Sequence, residues 1–403
     1  MRIKKHIYYI GIVSLISLLS LTGCYREPPL HLYDWENPAI EIPMAEVQLD
    51  LYWNYYNYDW KSEWYYGDQG REGGWDEEDR QKFGELEYVE PAHFFIYRYY
   101  KGEENNGTRL TKDSKYSRSR TFRASYEWGW WDILAWNDVK TIDGIQNLNF
   151  EEKESLDEPI MAMTNSTQYS SRYHAPRYQN SFYQPEPLFA ACEENVEINR
   201  NLKDFVYDEE TNIWVRKLKM YLEPLTYIYL PQVILHNNYM PAIGCDRIVS
   251  VPNTADLSGM ARSTCLNTGI ASNDPIAVNF KMRLKQEKDF RNGEKVDIVG
   301  GRLMTFGICG QNGNRISSAD ESIDSQRHYL DVNMVFYNGM DSTFVFDVTD
   351  QVRERYKGGV ITVELDMDTV PIPRRSGGSG FNAVVADYEY RTWYFDFDSI
   401  PKN

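Results

Sequence analysis

Residues 329–348 of this 403-residue chain read Tyr-Leu-Asp-Val-Asn-Met-Val-Phe-Tyr-Asn-Gly-Met-Asp-Ser-Thr-Phe-Val-Phe-Asp-Val. Apolar side chains alternate with other residues on both sides of the central Asn-Gly pair: Leu330, Val332, Met334 and Phe336 before it, and Phe344, Phe346 and Val348 after it. An Asn-Gly pair between two alternating runs is the strongest short-range signal of a β-hairpin. The stretch therefore predicts an antiparallel hairpin that buries one face.

Similar strand patterns recur along the chain, and helical periodicity is weak. Strands are predicted at residues 47–53, 93–99, 122–126, 130–136, 214–222, 227–235, 276–284, 301–309, 360–365, 381–385 and 391–397. The best helix candidate is residues 254–262, which follow the possible capping residues Asn253 and Thr254. Many short strands with frequent turns and few helices are typical of β-sandwiches, so we expect an all-β fold.

The chain is too long for one small core, so two domains are expected. Acidic and Asn residues cluster at 205–212, just before the strand-rich region that begins near Ile213. The predicted segments are a signal peptide at 1–23, an extended tether at 24–45, an N-terminal β-sandwich at 46–210 and a C-terminal β-sandwich at 211–403. Four prolines and few apolar residues between 25 and 45 favour the tether.

The N-terminus has the three-part pattern of a secretory signal peptide. Arg2, Lys4 and Lys5 precede a short apolar run, and Leu21-Thr22-Gly23-Cys24 ends it. This ending resembles the lipobox of bacterial lipoproteins, in which the cysteine at the Cys24 position is acylated after cleavage. An ordinary signal peptide with a coincidental cysteine is the alternative.

The formal net charge of −17 argues against nucleic acid as a partner, because phosphate backbones require clustered Lys and Arg. The same charge disfavours docking on anionic lipid, so membrane attachment would depend on the lipid at Cys24. The remaining cysteines are Cys192, Cys245, Cys265 and Cys309. They could pair in an oxidising compartment or stay as buried thiols, and the sequence leaves both open.

No motif isolates a catalytic or metal site, and no cofactor is expected. His174, His236 and His328 lie in unremarkable polar contexts. Glu364, Asp366 and Asp368 alternate as on the solvated face of a strand, with a weak divalent-ion site as the alternative. The run Gly377-Gly378-Ser379-Gly380 lacks the helix and the GK[ST] sequence of a phosphate loop.

An aromatic-rich stretch at residues 54–90 interrupts the strand pattern. Its tryptophans Trp60, Trp64 and Trp75 form a possible glycan or partner surface, because flat amphipathic rings suit wet interfaces. The alternative is that these side chains pack beneath the loop as a satellite core.

Several segments, in order along the chain, together resemble one group of proteins. They are residues 47–53, Trp131-Asp132-Ile133-Leu134-Ala135-Trp136-Asn137, Leu257-Ser258-Gly259-Met260-Ala261-Arg262 and residues 380–388. The group is the fimbrillin-like outer-membrane lipoproteins of Gram-negative gut and oral anaerobes, which include the anchor subunits of type V pili.

The resemblance implies two transthyretin-like antiparallel β-sandwich domains in tandem and a lipid-anchored place in the outer membrane, at the cell surface. It implies a non-enzymatic fimbrium anchor or accessory adhesion subunit that assembles with fimbrial subunits by β-strand pairing. The alternative function is binding of a host or dietary glycan through exposed aromatics. Tyr25-Arg26-Glu27 differs from the acidic cluster of surface-exported lipoproteins, which leaves the membrane face open.

Overall fold

The computed structural model describes residues 44–54, 63–64, 88–139, 147–151, 160–167, 181–252, 255–289, 294–312, 315–316 and 326–374. The predicted signal peptide, nearly all of the predicted tether and the strands predicted at 381–385 and 391–397 lie outside these residues. The described chain is built almost entirely of strands, which confirms the all-β prediction.

The N-terminal strands are β1 (Met44–Trp53), β2 (Phe94–Gly102), β3 (Thr111–Ser117), β4 (Thr121–Glu127), β5 (Gly129–Asn137), β6 (Leu148–Glu151), β7 (Met161–Thr164), β8 (Ser181–Phe182), β9 (Phe189–Ile198), β10 (Phe205–Asp208) and β11 (Ile213–Pro224).

The strands that follow are β12 (Tyr227–His236), β13 (Tyr239–Met240), β14 (Cys245–Asp246), β15 (Ile248–Ser250), β16 (Ala255–Ala261), β17 (Ser263–Cys265), β18 (Pro275–Phe280), β19 (Met282–Asp289), β20 (Lys295–Gly301), β21 (Leu303–Thr305), β22 (Gln311–Asn312), β23 (Arg315–Ile316), β24 (Tyr329–Phe336), β25 (Asp341–Asp347) and β26 (Gly359–Asp366). One α-helix, α1 (Thr349–Glu354), and 3₁₀ turns at Leu202–Asp204 and Met367–Thr369 complete the described elements. Of the helices in this part of the chain, none has the length and apolar character to cross a membrane.

Two sheets form the N-terminal sandwich. One sheet has the order β4-β1-β11-β10, the other has the order β3-β2-β5-β9, and the end of β11 joins them by pairing with β9. The alternation predicted for residues 47–53 is seen in β1, whose Val47, Leu49 and Leu51 are buried against the opposite sheet. An alternating strand of this kind places every second side chain in the core.

The position of β11 bears on the domain boundary, which the sequence predicts at residues 210/211. β1 and β11 are parallel neighbours, in register from Glu46 opposite Val215 to Trp53 opposite Leu222. The polar cluster before Ile213 is the turn of the β10–β11 hairpin and not a linker. We therefore propose that the N-terminal sandwich extends to Pro224.

The C-terminal sandwich also has two sheets. One runs β8-β18-β16-β24-β25, with β15 also on β24, and the other runs β19-β20-β12-β26, with β21 also on β12. β24 and β25 form the predicted hairpin, with Leu330 opposite Phe346 and Val332 opposite Phe344. β12 and β26 are parallel, as β1 and β11 are, so each sandwich pairs an early strand with a late one.

The strand predicted at 276–284 is in fact two strands in different sheets. β18 pairs with β16, and β19 pairs with β20, with Lys281 between them. Ile276, Phe280 and Met282 nevertheless all enter the same core. Alternation continues through the corner because both sheets turn the same face inward, so periodicity alone does not reveal the break.

The helix predicted at 254–262 is wrong, because residues 255–261 form strand β16. This strand lies between β18 and β24, and all of its residues are buried. A strand covered on both faces shows no alternation and is easily mistaken for a helix segment. Gly259 adopts φ +84° at a register shift between Ser258 and Met260.

A third apolar cluster lies between the two sandwiches. Leu134 and Trp136 of β5 contribute to it from the N-terminal side, and Ala261, Phe306 and Cys309 from the C-terminal side. Backbone pairing also crosses the division, since β7 pairs with β17 and β8 pairs with β18. The halves therefore share a buried core.

Replacing Gly259 by alanine should be strongly destabilising. The added Cβ would lie 2.5 Å from the carbonyl oxygen of Arg327 and 2.7 Å from His328 Nδ1, at a positive φ. We expect Gly259→Ala to lower the free energy of unfolding by about 3 kcal/mol or more in urea denaturation. The matched control is Gly339→Ala, where φ is +76° but a Cβ meets nothing within 4 Å; it should cost about 1 kcal/mol. Equal losses would contradict the packing argument.

Candidate functional site

The residues predicted for lipidation and glycan binding are only partly described. Cys24, Trp60 and Trp75 lie outside the described residues. Trp64 is described and is only 4% exposed. Its neighbour Glu63 is held on the C-terminal half, where Gln232 Nε2 donates to the Glu63 carbonyl at 2.9 Å and Arg355 Nη2 lies 2.8 Å from its carboxylate. The prediction of an exposed ring is therefore wrong for Trp64, because its side chain is buried. The neighbouring Glu63 contacts Gln232 and Arg355 of the C-terminal half.

The two described histidines among the three candidates are held by the fold, and His174 lies outside the described residues. His328 is fully buried, and its Nδ1 lies 3.3 Å from the carbonyl oxygen of Ser258. Burial lowers the pKa of His328 to about 4, so the imidazole is neutral at pH 7. His236 Nδ1 lies 2.9 Å from Glu294, and its Nε2 lies 3.6 Å from Glu364.

The three alternating acids do not converge on a common point. Glu364 contacts His236, while Asp368 pairs with Arg247. Asp366 accepts hydrogen bonds from Asn237 Nδ2 and the Asp368 N–H, both at 3.0 Å, and the first of these lowers its pKa. Across the part of the chain that the structure describes, no group of three or more His, Cys, Asp or Glu side chains could hold a metal ion.

The four cysteines Cys192, Cys245, Cys265 and Cys309 are free thiols. Burial raises the pKa of Cys192 and of Cys309 to about 12. A thiol of high pKa is almost entirely protonated at neutral pH and is a poor nucleophile. Cys265 and Cys309 are buried thiols, whereas Cys192 and Cys245 are half-buried.

The strand edges are the surfaces on which β-strand pairing would depend, and an arginine covers one of them. Arg98 of β2 is 6% exposed, and its Nη1 donates to the backbone carbonyl of Ser125 in the edge strand β4 at 2.9 Å. The same guanidinium donates two hydrogen bonds to the carboxylate of Asp113 in edge strand β3, one of them from Nε to Oδ1 at 2.8 Å. Its carbon atom Cζ lies 4.5 Å from the Tyr126 ring centroid. One buried side chain thus joins the edges of both sheets.

The Arg98–Asp113 pair is electrostatically strong for a partly exposed site. Burial by itself would raise the pKa of Asp113, but the hydrogen bonds and charge of Arg98 reverse this and lower it. Bidentate contacts between a guanidinium and a carboxylate are among the strong hydrogen bonds of proteins.

A second arginine, Arg216, contacts the backbone at another strand edge of the N-terminal sandwich. Arg216 of β11 donates from Nη1 to the carbonyl of Glu197 in β9, where the two strands have diverged. That carbonyl belongs to a strand edge, so the contact occupies an acceptor that an added strand could otherwise use.

A glutamine covers the edge of the C-terminal sandwich. The Gln351 side chain of α1 accepts from the Thr362 N–H at 2.8 Å and donates to the Thr362 carbonyl at 2.9 Å. Thr362 lies in β26, whose opposite side pairs with β12. The amide of Gln351 therefore reproduces the pair of hydrogen bonds that a neighbouring strand would make.

Sequence reasoning missed these edge contacts, although one signal was available. Phe94, Ile96 and Arg98 share a face of β2, so the pattern places a cation at an inward position of an alternating strand. Charged residues are seldom buried unless they are paired, which marks Arg98 as a buried contact. No comparable pattern in the sequence distinguishes Arg216 or Gln351 from other polar residues.

No protein-family model matches the chain, and no curated protein matches it. Several solved structures are similar to it. They include a candidate adhesin of Bacteroides ovatus, with 16% identity and a TM-score of 0.43 over 87% of this chain and 99% of that one. The fimbrial anchor protein Mfa2 of Porphyromonas gingivalis has 11% identity and a TM-score of 0.39 over 80% of this chain and 90% of that one.

A fimbrial assembly protein of Parabacteroides distasonis has 11% identity and a TM-score of 0.29, over 80% of this chain and 90% of that one.

Removing the Arg98 guanidinium should weaken the N-terminal sandwich. Arg98→Met leaves the Ser125 carbonyl and the Asp113 carboxylate without this partner, and we expect a loss of about 2–3 kcal/mol in urea denaturation. Arg98→Lys keeps the charge without the fork and should lose less. The control Arg120→Met removes a 54% exposed partner of Glu90 and should cost about 0.5 kcal/mol or less. Equal losses of stability in the two Met variants would contradict the role of Arg98 in linking β2 to Ser125 of β4 and Asp113 of β3.

His236 should make stability fall at alkaline pH. Glu364 and then Glu294 raise its pKa to about 9 from an ordinary 6.5, against the opposing effect of burial. A raised folded-state pKa gives stabilisation that is complete below pH 6.5 and lost as pH rises through about 9. Relative to His236→Gln, the native chain should lose about 1 kcal/mol of unfolding free energy over that window. His93→Gln, at an exposed histidine, serves as control, and parallel profiles for native and His236→Gln proteins would refute the assignment.

Proposed function

We propose that the chain is a non-enzymatic cell-envelope lipoprotein that serves as a fimbrium anchor or accessory adhesion subunit. Lipid on Cys24 would hold it in the outer membrane, with the proline-containing tether between the membrane and the two sandwiches. Two or more acyl chains give firm attachment where a single chain gives only marginal binding. The acidic charge of the chain leaves this attachment to the lipid.

The occupied strand edges are the observation that carries the proposal. Arg98, Arg216 and Gln351 engage backbone groups of β4, β9 and β26 that a donated strand would need. Strand addition relies on free main-chain donors and acceptors at a sheet edge. A subunit whose own side chains occupy such groups fits the base, the tip or the side of a fimbrium better than its repeating shaft. Pairing with fimbrial partners would use an edge other than these three.

The side chains considered for catalysis favour a binding role. His328 is buried and neutral, and His236 is held between two glutamates. Glu364, Asp366 and Asp368 each contact a different partner. Acid–base catalysis requires groups that reach a substrate in a suitable protonation state, and these groups are directed at the protein itself.

Cell fractionation tests the anchor. We expect the native chain to incorporate a palmitate analogue and to sediment with the outer membrane, while Cys24→Ala does neither. Cys245→Ala, which removes a free thiol of the folded body, should behave as the native chain.

Surface exposure and partners are tested by protease treatment of intact cells and by affinity purification from fimbriated cells. If the chain resists the protease and no fimbrial protein co-purifies, the proposed function is wrong.

A further inference from the structure

The outward face of the β4-β1-β11 sheet carries an ordered row of exposed side chains. β1 and β11 run parallel and in register, so Gln48 lies opposite Lys217, Asp50 opposite Lys219, and Tyr52 opposite Tyr221. Side chains two residues apart on a strand project from the same face. Lys217, Lys219 and Tyr221 therefore form one line on a single strand.

Two tyrosines at the end of this line make an exposed aromatic platform. Tyr52 is 42% exposed and Tyr221 is 52% exposed, and their rings stack with centroids 5.5 Å apart and an interplanar angle of 27°. Both rings keep apolar surface in contact with water, and covering that surface would gain free energy. The pair presents flat apolar surface together with two hydroxyl groups.

The two lysines beside the platform are not neutralised by the protein. Both are exposed, and among the described residues neither takes part in an ion pair. The ammonium of Lys219 instead lies 5.9 Å from the ring centroid of Tyr52. Lys217 and Lys219 are thus two neighbouring exposed cations in a chain with a net charge of −17.

The nearby carboxylates are directed to other partners. Asp50 accepts hydrogen bonds from Gln48 Nε2 at 2.8 Å and from Thr121 Oγ1 at 3.3 Å. Glu46 accepts from the Ser125 hydroxyl, and Glu223 accepts from Asn54 Nδ2 at 3.4 Å. None of these three carboxylates forms an ion pair with Lys217 or Lys219, although Asp50 lies in register opposite Lys219, so both ammonium groups can still contact a ligand.

We propose that this face, defined by Tyr52, Tyr221, Lys217 and Lys219, binds an acidic oligosaccharide whose sugar rings carry carboxylates. A sugar ring would pack its C–H surface on the tyrosine platform, and the carboxylates would meet the lysine ammonium groups. The strand spacing places successive lysines about 7 Å apart, a separation that suits charges repeated along an extended chain.

The observations favour this ligand over other anions. Nucleic acid needs a larger basic patch than two lysines on an acidic chain. An acidic peptide would satisfy the lysines but would make little use of paired flat rings. The inference does not depend on lipidation or on fimbrial partners, so it and the proposed function can fail separately.

Calorimetric titration of the full chain tests the proposal with trigalacturonate as the probe and neutral galactotriose as its counterpart. We expect trigalacturonate to bind, to bind more weakly as salt is added, and to be preferred over galactotriose. Lys219→Gln should weaken binding about fivefold, equivalent to about 1 kcal/mol. Tyr221→Ala should weaken it about tenfold, and Tyr221→Phe, which keeps the ring, should bind nearly as the native chain does.

Two exposed residues away from this face provide matched controls. Tyr239→Ala removes a 58% exposed tyrosine and Lys203→Gln an exposed lysine, and both should bind as the native chain does. Thermal unfolding of each variant checks that the fold is retained. The proposal is overturned by absence of trigalacturonate binding, by equal binding of galactotriose, by equally tight binding of a hexaglutamate peptide, or by unchanged affinity in the Tyr221→Ala and Lys219→Gln variants.

Discussion

Strand β5 is buried on both faces, and the arrangement of the whole molecule depends on this. Trp131, Ile133 and Ala135 fill the core of the N-terminal sandwich, whereas Leu134 and Trp136 enter the cluster shared with the C-terminal half. Burying the apolar parts of such residues contributes roughly 25 cal/mol per Å² removed from water. Because one strand supplies both clusters, the N-terminal core and the junction cannot form independently.

Asp132, in the middle of β5, shows how a buried charge is accommodated at this place. Arg109 Nε lies 3.0 Å from one carboxylate oxygen, and Lys101 Nζ and the Asn195 N–H lie 3.4 and 2.8 Å from the other. Removing an ion from water costs several kcal/mol unless partners of this kind compensate. The network links β2, β5 and β9 beside the junction. It therefore stabilises the register of these three strands and also compensates the charge of Asp132.

The strand edges and the outward face of the N-terminal sandwich differ in which groups they leave accessible. Side chains from within the fold satisfy backbone groups at β4, β9 and β26, which limits where another chain could add a strand. The outward face of β1 and β11 has the opposite character, because Lys217, Lys219 and the stacked tyrosines are left for solvent. Strand pairing with a partner would therefore need an edge other than these three, while the side chains on this face remain accessible to a ligand.

The sequence by itself determined the all-β class, most strand positions and the β24–β25 hairpin, because period-two alternation and Asn-Gly turns are local properties. It also determined the lipobox-like segment at Cys24. Only the tertiary structure decided that β11 joins the N-terminal sheet, that residues 255–261 are a strand, and that Trp64 is buried. It also brought Arg98 to Ser125 and Asp113 and set Tyr52 beside Tyr221. Each of these depends on which distant strands become neighbours, and hydrophobic alternation records the direction of a side chain but not its partner.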